Sequence, residues 1–378
     1  MSLAPKSVPA PPPFSPQSPT PSPLPLDTAH LARLCREAAQ GRGEPRWEPM
    51  PGGASTRSFF RVTFDEPERT AVAFHVPDHA QSDEIDKTDG TRLRMPFLEV
   101  RDLLEERGVR VPALLADGTA QGWVVVEDLG DDTLAAFLQH SPQRKAEVYE
   151  RAVRDLAKAQ RALAELPPRS VINRRAFDED LLAWEMHHFR EWALEARGIK
   201  LSPEDRALFD ALVARISKRI ASWPRGFVHR DYQSRNLMVL SRSPAGEAGL
   251  EIVWIDFQDA LLGPRIYDLV ALLNDSYQTF DRAFVEARLA EFGQERGLGP
   301  DELPALIEEF DVVTVQRKLK DAGRFVFIDR VKNNPAFLGF VEPTIAKARQ
   351  SLARLAASDA DMGALAALLD RVLGHAST

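Results

Sequence analysis

The spacing of apolar residues changes character near residue 130. Before that point, short apolar runs of strand length alternate with polar and glycine-containing loops. Runs of this length that are rich in β-branched and aromatic residues predict β-strands. The predicted strands cover residues 47–50, 59–64, 70–76 and 122–126.

Helical periodicity is found at both ends of this region and dominates the rest of the chain. Segments 27–40 and 95–107 carry apolar residues on one face, and longer amphipathic segments cover 148–166, 204–223 and 365–373. In 204–223 an apolar residue recurs every four positions, which is typical of a helix with one buried side. We therefore expect Leu208, Leu212, Ile216 and Ile220 to be core residues.

Residues 227–257 contain the most informative motif of the chain. His-Arg-Asp-Tyr-Gln-Ser-Arg-Asn occupies 229–236, and an apolar strand at 252–255 leads into Asp256 and Phe257. A kinase-type phosphotransferase needs a carboxylate that accepts or orients the acceptor hydroxyl proton, and oxygen ligands for magnesium. Asp231 is the predicted base, and Asn236 and Asp256 are the predicted Mg²⁺ ligands.

Two more residues are predicted to support this loop. We interpret His229 as a hydrogen-bonded structural residue that holds the catalytic loop, in preference to a proton carrier. Asp268, in the run Pro-Arg-Ile-Tyr-Asp-Leu at 264–269, is predicted to brace the same loop.

The order of elements predicts an α+β, bilobal fold of the protein-kinase type. Residues 27–130 would form a small strand-rich lobe that ends in a hinge, and 131–378 a helical lobe that carries the catalytic loop and the acceptor site. Residues 1–26 contain ten prolines, which favours an extended, disordered tail over a packed element.

ATP would be bound by the small lobe and the hinge. The loop before the second strand could cover the phosphates with its backbone N–H groups and hydroxyls, although an ordinary hairpin is the alternative. Backbone groups near Glu127 and Leu129 would recognise adenine. The predicted phosphate-covering residues are Gly53, Ala54, Ser55, Thr56 and Arg57.

Composition excludes several other classes of function. The net charge of −8 argues against a nucleic-acid partner, because such proteins normally carry a basic surface. No apolar stretch approaches the roughly eighteen residues that a membrane span requires, and no signal peptide is evident at the N-terminus. The single cysteine, Cys35, suits a reducing cytoplasm. We expect a cytoplasmic monomer.

These motifs resemble the aminoglycoside phosphotransferase-like family, relatives of choline kinase. The segments that carry the resemblance are Gly-Ala-Ser-Thr-Arg-Ser-Phe-Phe-Arg-Val at 53–62, 228–238, 256–269 and Gln-Arg-Lys-Leu-Lys at 316–320, with a looser match over 181–192. The resemblance implies an ATP- and Mg²⁺-dependent kinase of a small hydroxylated molecule. Within the family the chain is most similar to bacterial kinases of cell-wall recycling that phosphorylate the anomeric hydroxyl of N-acetylmuramate or N-acetylglucosamine.

One feature departs from the kinase pattern. The third strand normally carries a lysine that holds the nucleotide phosphates, but residues 70–77 read Thr-Ala-Val-Ala-Phe-His-Val-Pro. Arg57 or Arg61 could replace it, because a guanidinium can clamp phosphate oxygens. His75 is a poorer candidate because it is largely neutral at pH 7.

The sequence specifies the acceptor-binding residues less clearly than the catalytic ones, and alternative functions stay open. Sugar hydroxyls and a carboxylate call for charged and aromatic groups, so the candidate acceptor-binding residues are Arg235, Asp259, Glu185 and Arg317, with Trp192 and Lys320 as further possibilities. A kinase of choline, homoserine or an aminoglycoside is one alternative function. A nucleotide-binding pseudokinase scaffold is the other, supported by the missing lysine.

Overall fold

The structure is a computed structural model that describes residues 28–38, 44–50, 57–64, 70–75, 95–240 and 249–374. The predicted tail at 1–26 and the predicted phosphate-covering residues 53–56 lie outside these ranges. The helices are α1 Thr28–Ala38, α2 Pro96–Glu106, α3 Leu134–His140, α4 Lys145–Ala162, α5 Glu179–His188, α6 Pro203–Ala221, α7 Tyr267–Leu273, α8 Arg282–Glu295, α9 Leu303–Lys332, α10 Val341–Leu355 and α11 Ala360–Gly374. The strands are β1 Arg46–Pro49, β2 Ser58–Thr63, β3 Thr70–His75, β4 Leu114–Gly118, β5 Trp123–Glu127, β6 Arg225–Val228, β7 Leu237–Leu240, β8 Glu251–Trp254 and β9 Leu261–Pro264.

The chain divides into two compact units. The first contains the described residues up to His75 together with β4 and β5, and the second contains α2 and everything from Asp128 onward. Helix α2 falls within the predicted 27–130 lobe but groups with the second unit. Its Phe97 ring stacks on Phe257 at 5.1 Å, and its Glu99 carboxylate accepts the Val171 N–H at 2.6 Å.

The first unit is a five-stranded antiparallel sheet packed against α1. The strand order is β1-β2-β3-β5-β4. Burial alternates along β2, where Phe60 and Val62 are buried and their neighbours are partly exposed, as expected for a strand with one face on a core. Leu31 and Leu34 of α1 cover that face.

Strand β4 was not predicted from the sequence. It has few β-branched residues, Leu115 is 39 % exposed, and the register with β5 shifts between Leu114 and Ala116. A short edge strand with a bulge gives a weak hydrophobic signal, so pairing with β5 rather than intrinsic preference fixes its conformation.

Helix α9 is the central element of the second unit. Every residue from 310 to 320 is buried, including the charged residues among them. A helix that is buried on all sides needs neighbours on every face, and here they are α5, α7, α8, α10 and the π-helical segment Phe189–Leu194 that continues α5. No helix in the described ranges is both long and apolar enough to cross a membrane.

Helix α6 corrects one prediction about the core. Leu212, Ile216 and Ile220 are at most 1 % exposed, but Leu208 is 36 % exposed and is not a core residue. Because a helix turns about 100° per residue, each step of four advances about 40°, so a strict four-residue repeat rotates away from the buried side. Phe209 is fully buried in place of Leu208.

Four short strands of the second unit hold the catalytic segments. β6 pairs with β9 and β7 pairs with β8, both antiparallel. β6 ends immediately before His229, and β7 begins immediately after Asn236. β8 ends two residues before Asp256, so the two strand pairs bring the predicted base and metal ligands together.

Candidate active site

Asp268 anchors the start of the catalytic loop. Its carboxylate is fully buried and accepts the backbone N–H of His229 at 2.7 Å and that of Arg230 at 3.0 Å. Arg230 has a φ of 79°, a left-handed conformation that a non-glycine residue adopts only when its surroundings impose it. Burial raises the pKa of Asp268 to about 7, while the two N–H donors and the Arg317 charge favour its ionised form.

His229 is fixed in one neutral tautomer. Its ring is fully buried, with Nε2 at 3.1 Å from the Ile255 carbonyl oxygen and Nδ1 at 3.3 Å from the Asp231 backbone nitrogen. The carbonyl can only accept and the backbone N–H can only donate, so Nε2 carries the proton and Nδ1 accepts. Burial lowers the pKa of His229 to about 4, so at neutral pH the ring links two segments of the site without carrying charge.

Asp231 lies at the partly exposed end of the loop. Its side chain is 34 % exposed, and Oδ1 accepts a hydrogen bond from Arg317 Nη2 at 3.3 Å. Burial by itself would raise the pKa of Asp231, but the positive charges of Lys320, Arg317 and Arg230 outweigh it and hold that pKa below its ordinary value. The carboxylate is therefore ionised and in part accessible, as a proton acceptor must be.

Asn236 and Asp256 meet beside the base. Asn236 Nδ2 donates to the Asp231 carbonyl oxygen at 2.9 Å and lies 3.4 Å from Asp256 Oδ2. Asp256 is exposed and has a φ of 62°, and its Oδ1 accepts from the Gln258 amide at 2.9 Å. Residues twenty positions apart in sequence thus present an amide and a carboxylate at one point.

This donor set fits Mg²⁺ rather than a metal held by protein alone. In the part of the chain that the structure describes, no three His, Cys, Asp or Glu side chains converge. Mg²⁺ usually takes one or two carboxylates and completes its shell with water and substrate phosphates. One exposed carboxylate beside an amide matches that requirement.

A second anchor of the loop was missed from the sequence. Asp275 Oδ2 accepts both the backbone N–H of Ser234, at 2.9 Å, and its hydroxyl. The Asp275 carbonyl oxygen accepts from Lys347, which also donates to the Gln278 carbonyl oxygen at 2.7 Å. Nothing in the sequence marks Asp275, because it follows α7 without a recognisable motif.

The candidate acceptor-binding residues have very different environments. Glu185 is fully buried and accepts from Gln316 Nε2 at 2.8 Å, and Arg317 is only 2 % exposed. Asp259 Oδ2 accepts from the Gln258 amide at 3.2 Å. Arg235 lies over the Tyr277 ring, with its guanidinium carbon 3.5 Å from the ring centroid. Arg317 donates to the predicted base at 3.3 Å, whereas Glu185 lies 3.5 Å from the Arg230 guanidinium of the loop.

The other two acceptor candidates lie on the π-helical segment and α9. Trp192 makes an edge-to-face contact with Phe327 at 5.1 Å. The Lys320 ammonium is 3.6 Å from Asp321 Oδ1.

In the first unit, the described strand β3 contains no lysine, and Arg61 of β2 is paired in register with Val72 of β3. Arg57 directly precedes β2 and is partly buried. Glu127 ends β5, and Leu129, two residues later, belongs to the second unit. Both of these predicted adenine-recognising positions are partly buried.

The chain is similar to characterised phosphotransferases in sequence. The model of the phosphotransferase enzyme family matches residues 46–306. An N-acetylmuramate/N-acetylglucosamine kinase of Pseudomonas aeruginosa is 31% identical over 312 residues, which cover 80% of this chain and 83% of that protein. A kinase of the same name from Neisseria meningitidis is 30% identical over 331 residues, with coverage of 85% and 89%.

Solved structures confirm the predicted kinase-like α+β fold. A mutant of aminoglycoside 2'-phosphotransferase-IIIa in complex with GDP aligns with a TM-score of 0.56 at 13% identity and covers 87% of this chain and 98% of that one. An ethanolamine kinase of Plasmodium vivax aligns with a TM-score of 0.51 at 13% identity, with coverage of 81% and 82%. The family match over most of the chain, the identity to two curated kinases and the loop that joins Asp231, Asn236 and Asp256 agree, and this chain belongs to the phosphotransferase enzyme family.

Proposed function

We propose that this protein is an ATP-dependent kinase of an N-acetylated amino sugar, and that it phosphorylates the anomeric hydroxyl of N-acetylmuramate or N-acetylglucosamine. The observation that carries the kinase chemistry is the meeting of Asn236 with Asp231 at 2.9 Å and with Asp256 at 3.4 Å. The two relatives named for these sugars, each about 30% identical over most of its length, support the acceptor.

Asp231 accepts or orients the proton of the attacking hydroxyl in this proposal. Its low pKa makes it a weak base, which suits a reaction whose transition state needs little proton transfer and depends on positioning. The neighbouring cations keep it ionised at all physiological pH values, and its partial exposure gives the acceptor access to the carboxylate.

Asn236 and Asp256 would hold the magnesium ion of the nucleotide. Mg²⁺ would neutralise charge on the phosphate oxygens during transfer. The Gln258 amide donates to Asp256 Oδ1 and so limits rotation of that carboxylate. The left-handed φ of Asp256 turns the chain sharply after β8, which brings its carboxylate back toward Asn236.

We propose that backbone groups from Glu127 to Leu129 bind adenine and that residues 53–57 cover the phosphates. With no lysine on β3, Arg57 or Arg61 would supply the positive charge near the phosphates. Replacing each arginine in turn by methionine should show which one takes the place of the lysine. Loss of that arginine should raise KM for ATP while KM for the sugar stays unchanged.

The acceptor would be held by side chains of the second unit. Arg235 and Asp259 are the strongest of the proposed acceptor contacts, because both are partly exposed and flank the base and the metal ligands in sequence. The Trp192 ring in the π-helical segment offers an apolar face of the kind against which sugar rings stack.

The test is ADP release from Mg-ATP with a panel of acceptors: N-acetylmuramate, N-acetylglucosamine, unacetylated hexoses, choline, homoserine and an aminoglycoside. Asp231→Asn, which keeps the shape of the side chain and removes its charge, serves as the blank. We expect turnover with the two N-acetylated sugars only, a loss of at least about a hundredfold in the blank, and an acid-labile sugar 1-phosphate as product. Turnover with another acceptor alone would overturn the amino-sugar assignment, and full activity of the blank would overturn the role of Asp231.

A further inference from the structure

We infer that Arg317, on helix α9, is a positioning residue that sets the location of the Asp231 carboxylate. The inference rests on the proposed function, in which Asp231 faces the acceptor hydroxyl. It assigns to Arg317 a role different from the acceptor binding that the sequence led us to expect.

The Arg317 guanidinium joins the catalytic loop at two points. Nη1 donates to the Arg230 carbonyl oxygen at 2.7 Å, and Nη2 donates to Asp231 Oδ1 at 3.3 Å. The N–H groups of His229 and Arg230 are held by Asp268. The left-handed Arg230 is thus fixed through its N–H by one buried side chain and through its carbonyl by another.

Arg317 is itself held rigidly. Its guanidinium lies over the Tyr267 ring, 4.7 Å from the centroid, and its Nε is 3.9 Å from Asp321 Oδ2. Asp321 is in turn paired with Lys318 at 2.7 Å and with Lys320 at 3.6 Å. Because the side chain stacks on a ring and lies between two carboxylates, it loses little freedom when it meets Asp231.

This geometry argues against direct contact with a substrate. The side chain is 2 % exposed, and both terminal nitrogens already donate to the loop. A lysine at this position would keep the positive charge but would lack the fork that reaches a carbonyl and a carboxylate together. Arg317 therefore acts on the reaction through Asp231.

The experiment compares Arg317→Met and Arg317→Lys with a matched control, Arg354→Met. Arg354 also pairs with a buried carboxylate of α9, Asp311, at 2.7 Å, but it does not contact the catalytic loop. Asp231→Asn is measured in parallel with the acceptor that the wild-type protein phosphorylates. Melting temperature, Mg-ATP affinity, kcat and KM for the acceptor are recorded for each variant.

We expect Arg317→Met to lower kcat by about a hundredfold, in the range that misplacement of a catalytic group produces, with KM and Mg-ATP affinity within about twofold of wild type. Arg317→Lys should recover about a tenth of the wild-type kcat, since charge returns without the fork. Arg354→Met should leave kcat within about twofold of wild type.

Other outcomes would overturn the inference. A raised KM for the acceptor at unchanged kcat in Arg317→Met would make Arg317 an acceptor-binding residue. Equal losses of kcat in Arg317→Met and Arg354→Met would mean that Arg317 contributes only to stability. If Arg317→Met fails to fold, a kcat of Arg317→Lys equal to that of wild type decides against a positioning role. An inactive Asp231→Asn with a fully active Arg317→Met refutes this inference alone, whereas an active Asp231→Asn refutes the proposed role of Asp231.

Discussion

Two ionisable side chains at the start of the catalytic loop, His229 within it and Asp268 packed against it, are fully buried, and burial moves their pKa values in opposite directions. It lowers the pKa of His229 to about 4 and raises that of Asp268 to about 7. The same loss of hydration acts on both, but it disfavours the imidazolium in one and the carboxylate in the other. Each group therefore makes its own contribution to how stability depends on pH.

The lowered pKa of His229 predicts the direction in which the stability of the protein changes with pH. In the unfolded chain the His229 ring binds a proton near pH 6.5, but in the folded protein it stays neutral down to about pH 4. Stability from His229 is thus complete above pH 6.5 and is lost as the pH falls toward 4, by up to about 3 kcal/mol. We expect the free energy of unfolding of His229→Asn, measured by urea denaturation, to fall less than that of wild type between pH 7 and pH 4.5. Parallel curves for the two proteins would contradict a neutral buried ring.

The anchor at Ser234 gives a second prediction. Replacing Asp275 by alanine removes the acceptor of the buried Ser234 N–H and hydroxyl, so we expect a loss of about 2 kcal/mol in unfolding free energy and a reduced kcat. Asp370→Ala is a suitable control, because Asp370 forms an exposed pair with Arg349 and should contribute less than about 0.5 kcal/mol. Equal losses in the two variants would show that Asp275 is not an anchor.

Within the candidate site, the sequence predicted which residues of the catalytic motif lie together, but not which residues from distant segments contact them. Asp231, Asn236 and Asp256 occur at a spacing that the proposed chemistry requires, and the structure brings the three residues together. Asp275, which follows α7, and Arg317, on α9, reach the loop from more than forty residues away in the sequence. Their contacts depend on how α7 and α9 pack, which no local pattern encodes.

At the scale of elements, the prediction succeeded where a segment has one buried face. The apolar faces of α1 and α2 and the alternation in β2 follow this rule. It failed for β4, an irregular edge strand, and for Leu208, because a strict four-residue repeat gradually rotates away from the buried side of the helix. Helix α9 carries no amphipathic signal over residues 310–320 because every residue there is buried, and the π-helical segment has no distinguishing sequence pattern.

The approach of α9 to the π-helical segment depends on Gly323. A Cβ atom there would lie 2.6 Å from the His188 carbonyl oxygen and 2.9 Å from Phe189 Cα, both of which are backbone atoms that cannot move aside cheaply. We expect Gly323→Ala to destabilise the protein by about 1–3 kcal/mol, as overpacking of a tight contact does. Thermal unfolding measures this change.

Gly293 in α8 is the matched control for that substitution. It is also helical, but the nearest atoms to an added Cβ are 3.8 Å away, an ordinary contact. Gly293→Ala should therefore raise stability by about 0.5–1 kcal/mol through the helix preference of alanine. If both substitutions stabilise the protein, the close contact at Gly323 is refuted.

At the scale of the whole molecule, each unit has its own buried apolar core. In the first unit α1 covers one face of the sheet, and the core between them includes Leu31, Leu34, Cys35, Phe60, Val62, Phe64, Ala71, Ala73, Ala116, Trp123 and Val125. The second unit is much larger and contains every described α-helix except α1. A smaller unit buries a smaller fraction of its surface, so the first unit should be the less stable of the two.

Cys35 allows this difference to be measured. It is the only cysteine of the chain and is fully buried in the first unit, where burial raises the pKa of its thiol to about 12. Since the thiolate is the nucleophile that attacks a thiol reagent, Cys35 should react only when the first unit opens. In a urea series we expect rapid labelling to begin at a lower concentration than the loss of helical circular dichroism, which reports mainly the second unit. Cys35→Ser supplies the background.

Coincident transitions would show that the two cores unfold as one cooperative body. Labelling without urea at the rate of a free thiol would contradict the burial of Cys35.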